Sequence, residues 1–88
     1  MSNQFQHICV IGLGYIGLPT AATFAAHGIK VTGVDVNQHA VDLINQGKVH
    51  IVEPDLDALV KQVVEQKMLS AQTMPVEADA YIVAVPTP

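Results

Sequence analysis

The chain has 88 residues, of which 50% are hydrophobic and 14% are charged. This composition excludes a disordered tail, because such tails lack the apolar surface needed for collapse. A formal net charge of −4 without any arginine argues against nucleic acid or an acidic membrane as a partner. A single cysteine cannot form an internal disulfide, so a reducing, cytoplasmic location is expected.

The first third of the chain predicts a strand, a turn and a helix. His7–Ile11 is apolar without alternation, which indicates a strand covered on both faces. A glycine-rich turn follows, and a helix is predicted over 16–26, with Gly28 in the left-handed position that ends it. Pro19 is compatible with this helix only inside its first turn, where backbone N–H groups have no helical partner.

The middle of the chain repeats this alternation. A second strand is predicted over 30–35, directly after the first helix. Asn37 is a good N-cap for a second helix over Gln38–Asn45, and Gly47 ends it. A strand, a helix and a second strand in this order are typical of a βαβ unit, in which neighbouring strands run parallel.

A third helix and two short strands are predicted in the last third. Pro54 is expected at the first helical position, which tolerates its missing N–H group. Short strands are predicted over 70–73 and 80–85, and the second of these is apolar enough to be buried. The third helix is defined by apolar residues at helical spacing: Leu56, Leu59, Val60, Val63 and Val64.

These elements predict an α/β fold, a Rossmann-type doubly wound parallel sheet in three layers. Such a fold needs a second half to cover the sheet edge and complete its ligand crevice. The elements of residues 1–88 account for the first half. We therefore expect the chain to be the N-terminal part of a dinucleotide-binding domain, a fragment of a longer protein.

Residues 12–17 read Gly-Leu-Gly-Tyr-Ile-Gly, a G-x-G-x-x-G motif between a predicted strand and a predicted helix. Gly12 permits the tight turn, Gly14 lets the backbone approach a pyrophosphate, and Gly17 lets the helix sit close to the strand. The free N–H groups and the positive helix end would hold the phosphates. The motif thus predicts phosphate binding without basic side chains.

Asp35 ends the second predicted strand, 18 residues after Gly17. An acidic residue at about this spacing accepts hydrogen bonds from the ribose hydroxyls of a dinucleotide. A carboxylate there would repel a 2′-phosphate, and no arginine is present to bind one, so NAD is predicted rather than NADP. The alternative is a glycine turn that serves packing alone, with Asp35 merely starting a loop.

Other candidate residues carry weaker signals. Thr87 follows the last predicted strand, where ligands bind in open α/β sheets, but an ordinary turn residue explains it equally well. Cys9 lies inside the first strand and is expected to be a buried, unreactive thiol. Asp55 and Asp57 are expected in the first turn of the third helix, where they favour its dipole. No cluster has the spacing of a metal site.

Four segments together resemble a known family: GLGYIGLPTA from Gly12, VTGVD ending at Asp35, HIVEPDL from His50 and VAVPTP ending at Pro88. In this order they are similar to the start of the UDP-glucose/GDP-mannose dehydrogenase family. Two further segments, 37–42 and 76–80, resemble the members that act on UDP-N-acetyl-D-mannosamine. The stretch 74–79 is shorter than in many relatives, so the usual small helix there is expected to be reduced to a turn.

The resemblance implies oxidation of a sugar C6 alcohol to a carboxylate with two NAD per turnover, here giving a uronate for surface polysaccharide. It implies that Tyr15 and Ile16 meet the pyrophosphate through their backbone, that Asp35 binds ribose and that Thr87 contacts NAD. The family's cysteine and lysine lie in later segments, so no catalytic residue is expected in this chain. A UDP-sugar substrate and a homo-oligomer are expected for the full-length protein.

Three other functions fit part of the pattern. UDP-glucose is an alternative substrate, since the sugar-contacting residues of the family lie mostly downstream. A nucleotide-sensing module of the kind that gates potassium uptake shares the glycine motif and the acid, but not the Glu-Pro-Asp-Leu and Val-Pro-Thr-Pro segments. An S-adenosylmethionine methyltransferase also shares a glycine turn and an acid, and the third glycine of the motif disfavours it.

Overall fold

The computed structural model describes residues 6–84 of the chain. Four parallel strands form one sheet in the order β3-β2-β1-β4, and three helices connect or flank them. This is the parallel α/β architecture of the Rossmann type that the sequence predicts. The elements are β1 (His7–Ile11), α1 (Gly17–Ala26), β2 (Lys30–Val34), α2 (Gln38–Asn45), α3 (Leu56–Glu65), β3 (Leu69–Gln72) and β4 (Ala80–Val83).

β1 lies in the interior of the sheet, between β2 and β4. Its Val10 pairs with Gly33 of β2 on one side and with Ile82 of β4 on the other. Neighbouring residues of a strand point to opposite faces, and both Cys9 and Val10 are completely buried. β1 is therefore covered on both faces, as predicted from its unbroken apolar run.

One face of the sheet packs against all three helices. Because side chains alternate along a strand, β1 and β2 direct Ile8, Val10 and Val31 to the same face. Small side chains on α1 allow that helix to lie close to the sheet. The shared core includes Ala21, Ala22 and Ala25 of α1, Val41 and Ile44 of α2, and Leu56, Val60 and Val63 of α3.

The connection from β3 to β4 joins the two outer strands of the sheet, so it must cross β2 and β1. It contains no helix between residues 73 and 79, as its short length predicts. Tyr81 fixes this connection: its hydroxyl donates to the Val76 carbonyl at 2.8 Å and accepts from the Ala78 N–H at 3.0 Å. Asp79 ties it to β1, since its carboxylate accepts from the Gln6 and His7 N–H groups.

Helix ends agree with the sequence where glycine or a cap controls them. Gly28 and Gly47 both have positive φ, at 90° and 78°, directly after α1 and α2. α2 has the predicted bounds, and the Asn37 side chain accepts from the Ala40 N–H. Pro19 lies in the first turn of α1, which begins at Gly17, one residue later than predicted.

Two predictions about the last third are wrong. Pro54 is not the first residue of α3, because Asp55 has a left-handed φ of 64° that interrupts the helix geometry before Leu56. β4 is not buried. Tyr81 and Val83 are 50% and 65% exposed because β4 is an outer strand and both residues point away from the helices. The strand ends at Val83, and residue 85 lies outside the described residues.

Candidate functional site

The glycine turn between β1 and α1 is held against β2. Gly12 has φ 98°, a conformation open to glycine at little cost, and its N–H donates to the Val34 carbonyl at 2.7 Å. A Cβ on Gly17 would lie 1.6 Å from the Gly12 carbonyl oxygen. Two of the three glycines are thus needed by the protein's own backbone, one for the turn and one for the contact between turn and helix.

Gly14 differs from the other two glycines. A Cβ built on it meets no atom within 4 Å among the described residues. Packing therefore does not require a glycine here, whereas a ligand approaching the backbone would. Gly14 borders a cleft of about 370 Å³ at the carboxyl ends of β1 and β2, where open α/β sheets bind ligands. The cleft is lined by Ile11, Gly12, Leu13, Gly14, Val34, Asp35 and Val36.

The N-terminus of α1 is not satisfied by a side chain of its own helix. It has no side-chain cap and no acidic residue in its first turn. Within 6–84, the N–H groups of Gly14, Tyr15 and Ile16 make no hydrogen bond to a protein acceptor. Tyr15 and Ile16 are 66% and 72% exposed, so their side chains leave this end of the helix open. Unpaired N–H groups at the positive end of a helix form an anion site.

Asp35 lies beside this turn, immediately after β2. Its Oδ2 accepts from the Leu13 N–H and its Oδ1 from the Asn37 N–H, both at 2.9 Å. The residue is only partly buried and lines the cleft. A carboxylate has about four lone-pair positions, so two remain for further donors. The structure thus brings Asp35 and the glycine turn together on one cleft.

Sequence reasoning missed the contact between Leu13 and Gly33. Leu13 is completely buried, although it belongs to a turn. A Cβ on Gly33 would lie 2.7 Å from Leu13 Cδ2, so the glycine makes room for this side chain. The signal was a glycine inside a strand rich in β-branched residues, which often marks a close approach by another group.

The structure also locates most of the remaining candidate residues. Thr87 is the exception, because it lies outside the described residues. Cys9 is a buried free thiol, as predicted. Asp57 lies in the first turn of α3, whereas Asp55 is its N-cap residue without a capping side-chain hydrogen bond. Among residues 6–84, no helix has the length and apolar character to cross a bilayer.

The cleft combines three features typical of sites for a dinucleotide. An open anion site, a glycine with free space at its Cβ and a carboxylate with unused lone pairs lie on the same edge of a parallel sheet. These features define a dinucleotide-binding domain of the Rossmann class.

The NAD binding domain of the UDP-glucose/GDP-mannose dehydrogenase family matches residues 6–88. The chain belongs to this family, as its motifs predict, and NAD is the cofactor of the matched domain.

Relatives and solved structures agree with this assignment. The chain is 67% identical over 86 residues to a UDP-N-acetyl-D-mannosamine dehydrogenase of Campylobacter jejuni, covering 98% of this chain and 21% of the relative. It is 62% identical to an NDP-N-acetyl-D-galactosaminuronic acid dehydrogenase of Ralstonia nicotianae, covering 97% of this chain and 20% of the relative. The structure of a UDP-N-acetyl-mannosamine dehydrogenase from Staphylococcus aureus superposes with TM-score 0.91 at 45% identity, covering 93% of this chain and 20% of that protein. The chain thus spans about a fifth of the length of these relatives.

Proposed function

We propose that this chain is the NAD-binding portion of a UDP-sugar 6-dehydrogenase. The reaction oxidises UDP-N-acetyl-D-mannosamine to the corresponding uronate, a precursor of surface polysaccharide. The observation that carries the proposal is the open N-terminus of α1 beside the Asp35 carboxylate. The identity of 67% to an enzyme named for this substrate supports the choice of sugar.

The glycine turn would hold the pyrophosphate of NAD through its backbone. Gly12 and Gly17 shape the turn, and Gly14 leaves space for the phosphates. The N–H groups of Tyr15 and Ile16 would take part in this binding, because no described residue accepts a hydrogen bond from them. No basic side chain is needed, since the helix dipole and the free N–H groups supply the positive potential.

Asp35 would accept hydrogen bonds from the hydroxyls of the adenosine ribose. Its charge repels a 2′-phosphate, and the chain has no arginine to offset that repulsion. NAD is therefore preferred over NADP. Thr87 would contact the cofactor from the end of the last predicted strand. NAD, when bound, supplies the hydride acceptor for the oxidation.

Catalysis requires groups that residues 1–88 do not supply. Oxidation of an alcohol to an acid needs a nucleophile that retains the aldehyde, together with proton-transfer groups close to the substrate. Cys9 is completely buried in β1 and cannot reach a substrate. We expect residues 1–88 alone to produce no NADH. The full-length protein would be a homo-oligomeric cytoplasmic enzyme that reduces two NAD per UDP-sugar.

Calorimetric titration of the full-length protein with NAD and NADP tests the cofactor assignment. NAD should bind, and NADP should bind far more weakly. Gly14→Val should abolish NAD binding because its side chain enters the diphosphate space. Lys30→Ala is the matched control, since Lys30 is exposed at the other end of β2. Equal binding of NADP, or a larger effect from Lys30→Ala than from Gly14→Val, would contradict the proposal.

A second substrate assignment has a specific observation in its favour. The 62% identity to a dehydrogenase named for N-acetyl-D-galactosaminuronic acid is close to the 67% above, so this part of the chain discriminates weakly between sugars. Initial rates of NADH formation with UDP-N-acetyl-D-mannosamine, UDP-N-acetyl-D-galactosamine and UDP-glucose separate the candidates. The mannosamine derivative should give the highest kcat/KM.

A further inference from the structure

The end of β2 holds the glycine turn at three successive positions. Gly33 makes room for the Leu13 side chain, and the Val34 carbonyl accepts from the Gly12 N–H at 2.7 Å. Asp35 Oδ2 then accepts from the Leu13 N–H at 2.9 Å. Of these three contacts, the last is the one made by a side-chain polar group, so it is the one that substitution removes without changing the strand.

Asp35 joins the glycine turn to the start of α2 through its two carboxylate oxygens. Its second oxygen accepts from the Asn37 N–H, and the Asn37 side chain in turn caps α2 through the Ala40 N–H. Hydrogen bonds to a carboxylate are stronger than neutral ones because the acceptor is charged. The carboxylate therefore ties the glycine turn to the start of α2 before any cofactor is present.

We infer that Asp35 is a positioning residue for the phosphate-binding turn, in addition to its role toward ribose. This inference rests on the proposed function and assigns a second task to one of its residues. Two of the roughly four lone-pair positions of the carboxylate accept from Leu13 and Asn37, and two remain for the ribose hydroxyls. A turn held in place loses less conformational freedom when it binds diphosphate.

The two roles of Asp35 are separated with an NAD analogue whose adenosine ribose has hydrogens in place of both hydroxyls. If Asp35 acted through ribose alone, Asp35→Ala would leave affinity for this analogue unchanged. Loss of a negative charge near the diphosphate would even strengthen binding. Positioning of the turn predicts the opposite sign, with analogue binding weakened about five- to tenfold in calorimetry on the full-length protein.

Asp35→Asn gives a graded comparison, because its one carbonyl oxygen can retain only one of the two acceptor roles. Its analogue affinity should fall between those of the wild type and Asp35→Ala. Asp42→Ala is the matched control: it removes the same charge from an exposed position of α2, where the carboxylate accepts from Gln38 Nε2. Analogue binding by Asp35→Ala that equals or exceeds that of the wild type would overturn the inference.

Hydrogen exchange in the cofactor-free protein tests positioning without any ligand. The Leu13 amide should exchange at least about fivefold faster in Asp35→Ala, while the Val10 amide in β1 keeps its wild-type rate. An unchanged rate at Leu13 would refute positioning, whatever the binding data show. Failure of the wild-type protein to bind NAD would instead refute the proposed function, and the exchange measurement would still decide the role of Asp35 in the turn.

Discussion

The N-termini of α1 and α3 differ in how their positive ends are used. α3 has Asp57 in its first turn, and Asp57 Oδ1 accepts from the Ala58 N–H at 2.8 Å. α1 has no acid in its first turn and no side-chain cap, and its first turn follows the glycine motif. The protein therefore offsets the dipole of α3 with its own carboxylate, while the dipole of α1 is left for an external anion.

α2 represents a third arrangement, in which the helix end is satisfied by a neutral side chain. Asn37 accepts from the Ala40 N–H at 3.2 Å, and its side chain carries no charge. The three helices thus show a neutral cap, an internal acid and an open end within one small sheet. The proposed phosphate site is therefore distinguished by what is missing from α1 as much as by its glycines.

The largest effect expected concerns the backbone contact that creates the open end. Gly17→Ala places a Cβ 1.6 Å from the Gly12 carbonyl oxygen, so turn and helix must separate. We expect the free energy of unfolding to fall by about 4 kcal/mol or more. NAD binding should be lost as well. Urea denaturation measures the fall in unfolding free energy. Gly14→Ala is the control and should change the free energy of unfolding by no more than about 1 kcal/mol. Equal stability of the two variants would show that the close contact between Gly17 and Gly12 does not constrain the fold.

Giving α1 an acid, as α3 has, tests whether the open N-terminus of α1 binds the diphosphate. Ile16→Asp introduces a carboxylate at an exposed N-cap position. It should stabilise the fold by roughly 0.3–1 kcal/mol through the helix dipole. It should also weaken NAD binding about tenfold or more, because it repels the diphosphate. Unchanged NAD affinity in calorimetry would show that the phosphates lie elsewhere.

The reciprocal change on α3 serves as the control for Ile16→Asp. Asp57→Asn removes the acid from the first turn of α3, so the fold should lose roughly 0.3–1 kcal/mol while NAD affinity stays at its wild-type value. Ile16→Asp should thus raise stability in urea denaturation and lower NAD affinity in calorimetry, whereas Asp57→Asn should lower stability and leave affinity unchanged.

The cap of α2 contributes to stability on a smaller scale. Asn37→Ala removes the acceptor of the Ala40 N–H and should cost about 1 kcal/mol in the free energy of unfolding. Asn37→Asp keeps an acceptor oxygen and should retain most of that stability. If both variants unfold at the same urea concentration, the cap is not what stabilises the start of α2.

The smallest effect expected is a dependence of stability on acid at the opposite end of the sheet. Hydrogen bonds from the Gln6 and His7 N–H groups lower the pKa of Asp79 from its ordinary 3.8. The folded state therefore favours the carboxylate, and its contribution is complete above pH 3.8 and is lost as pH falls through the lowered pKa. Asp79→Asn should flatten the fall in unfolding free energy below about pH 4. An identical acid profile in the variant would exclude this contribution.

Prediction from the sequence succeeded where neighbouring residues decide the structure. The bounds of β1 and α2, the glycine ends of α1 and α2 and the Asn37 cap all follow from preferences within a few residues. It failed at Pro54, because aspartate tolerates the left-handed conformation but does not require it, so the sequence did not indicate that Asp55 adopts it. It also failed for the burial of β4 within residues 6–84, since an apolar run does not show which of its faces other elements cover.

The class of site follows from residues that the sequence shows directly: a glycine motif between strand and helix, an acid after the next strand, and no arginine. How that site is held depends on contacts between distant residues. Leu13 packs on Gly33, and its N–H reaches Asp35, a residue 22 positions away. Such contacts depend on the register of β1 and β2, which pairs Val10 with Gly33. Register depends on which faces of both paired strands are buried, so the pattern within one strand does not specify it alone.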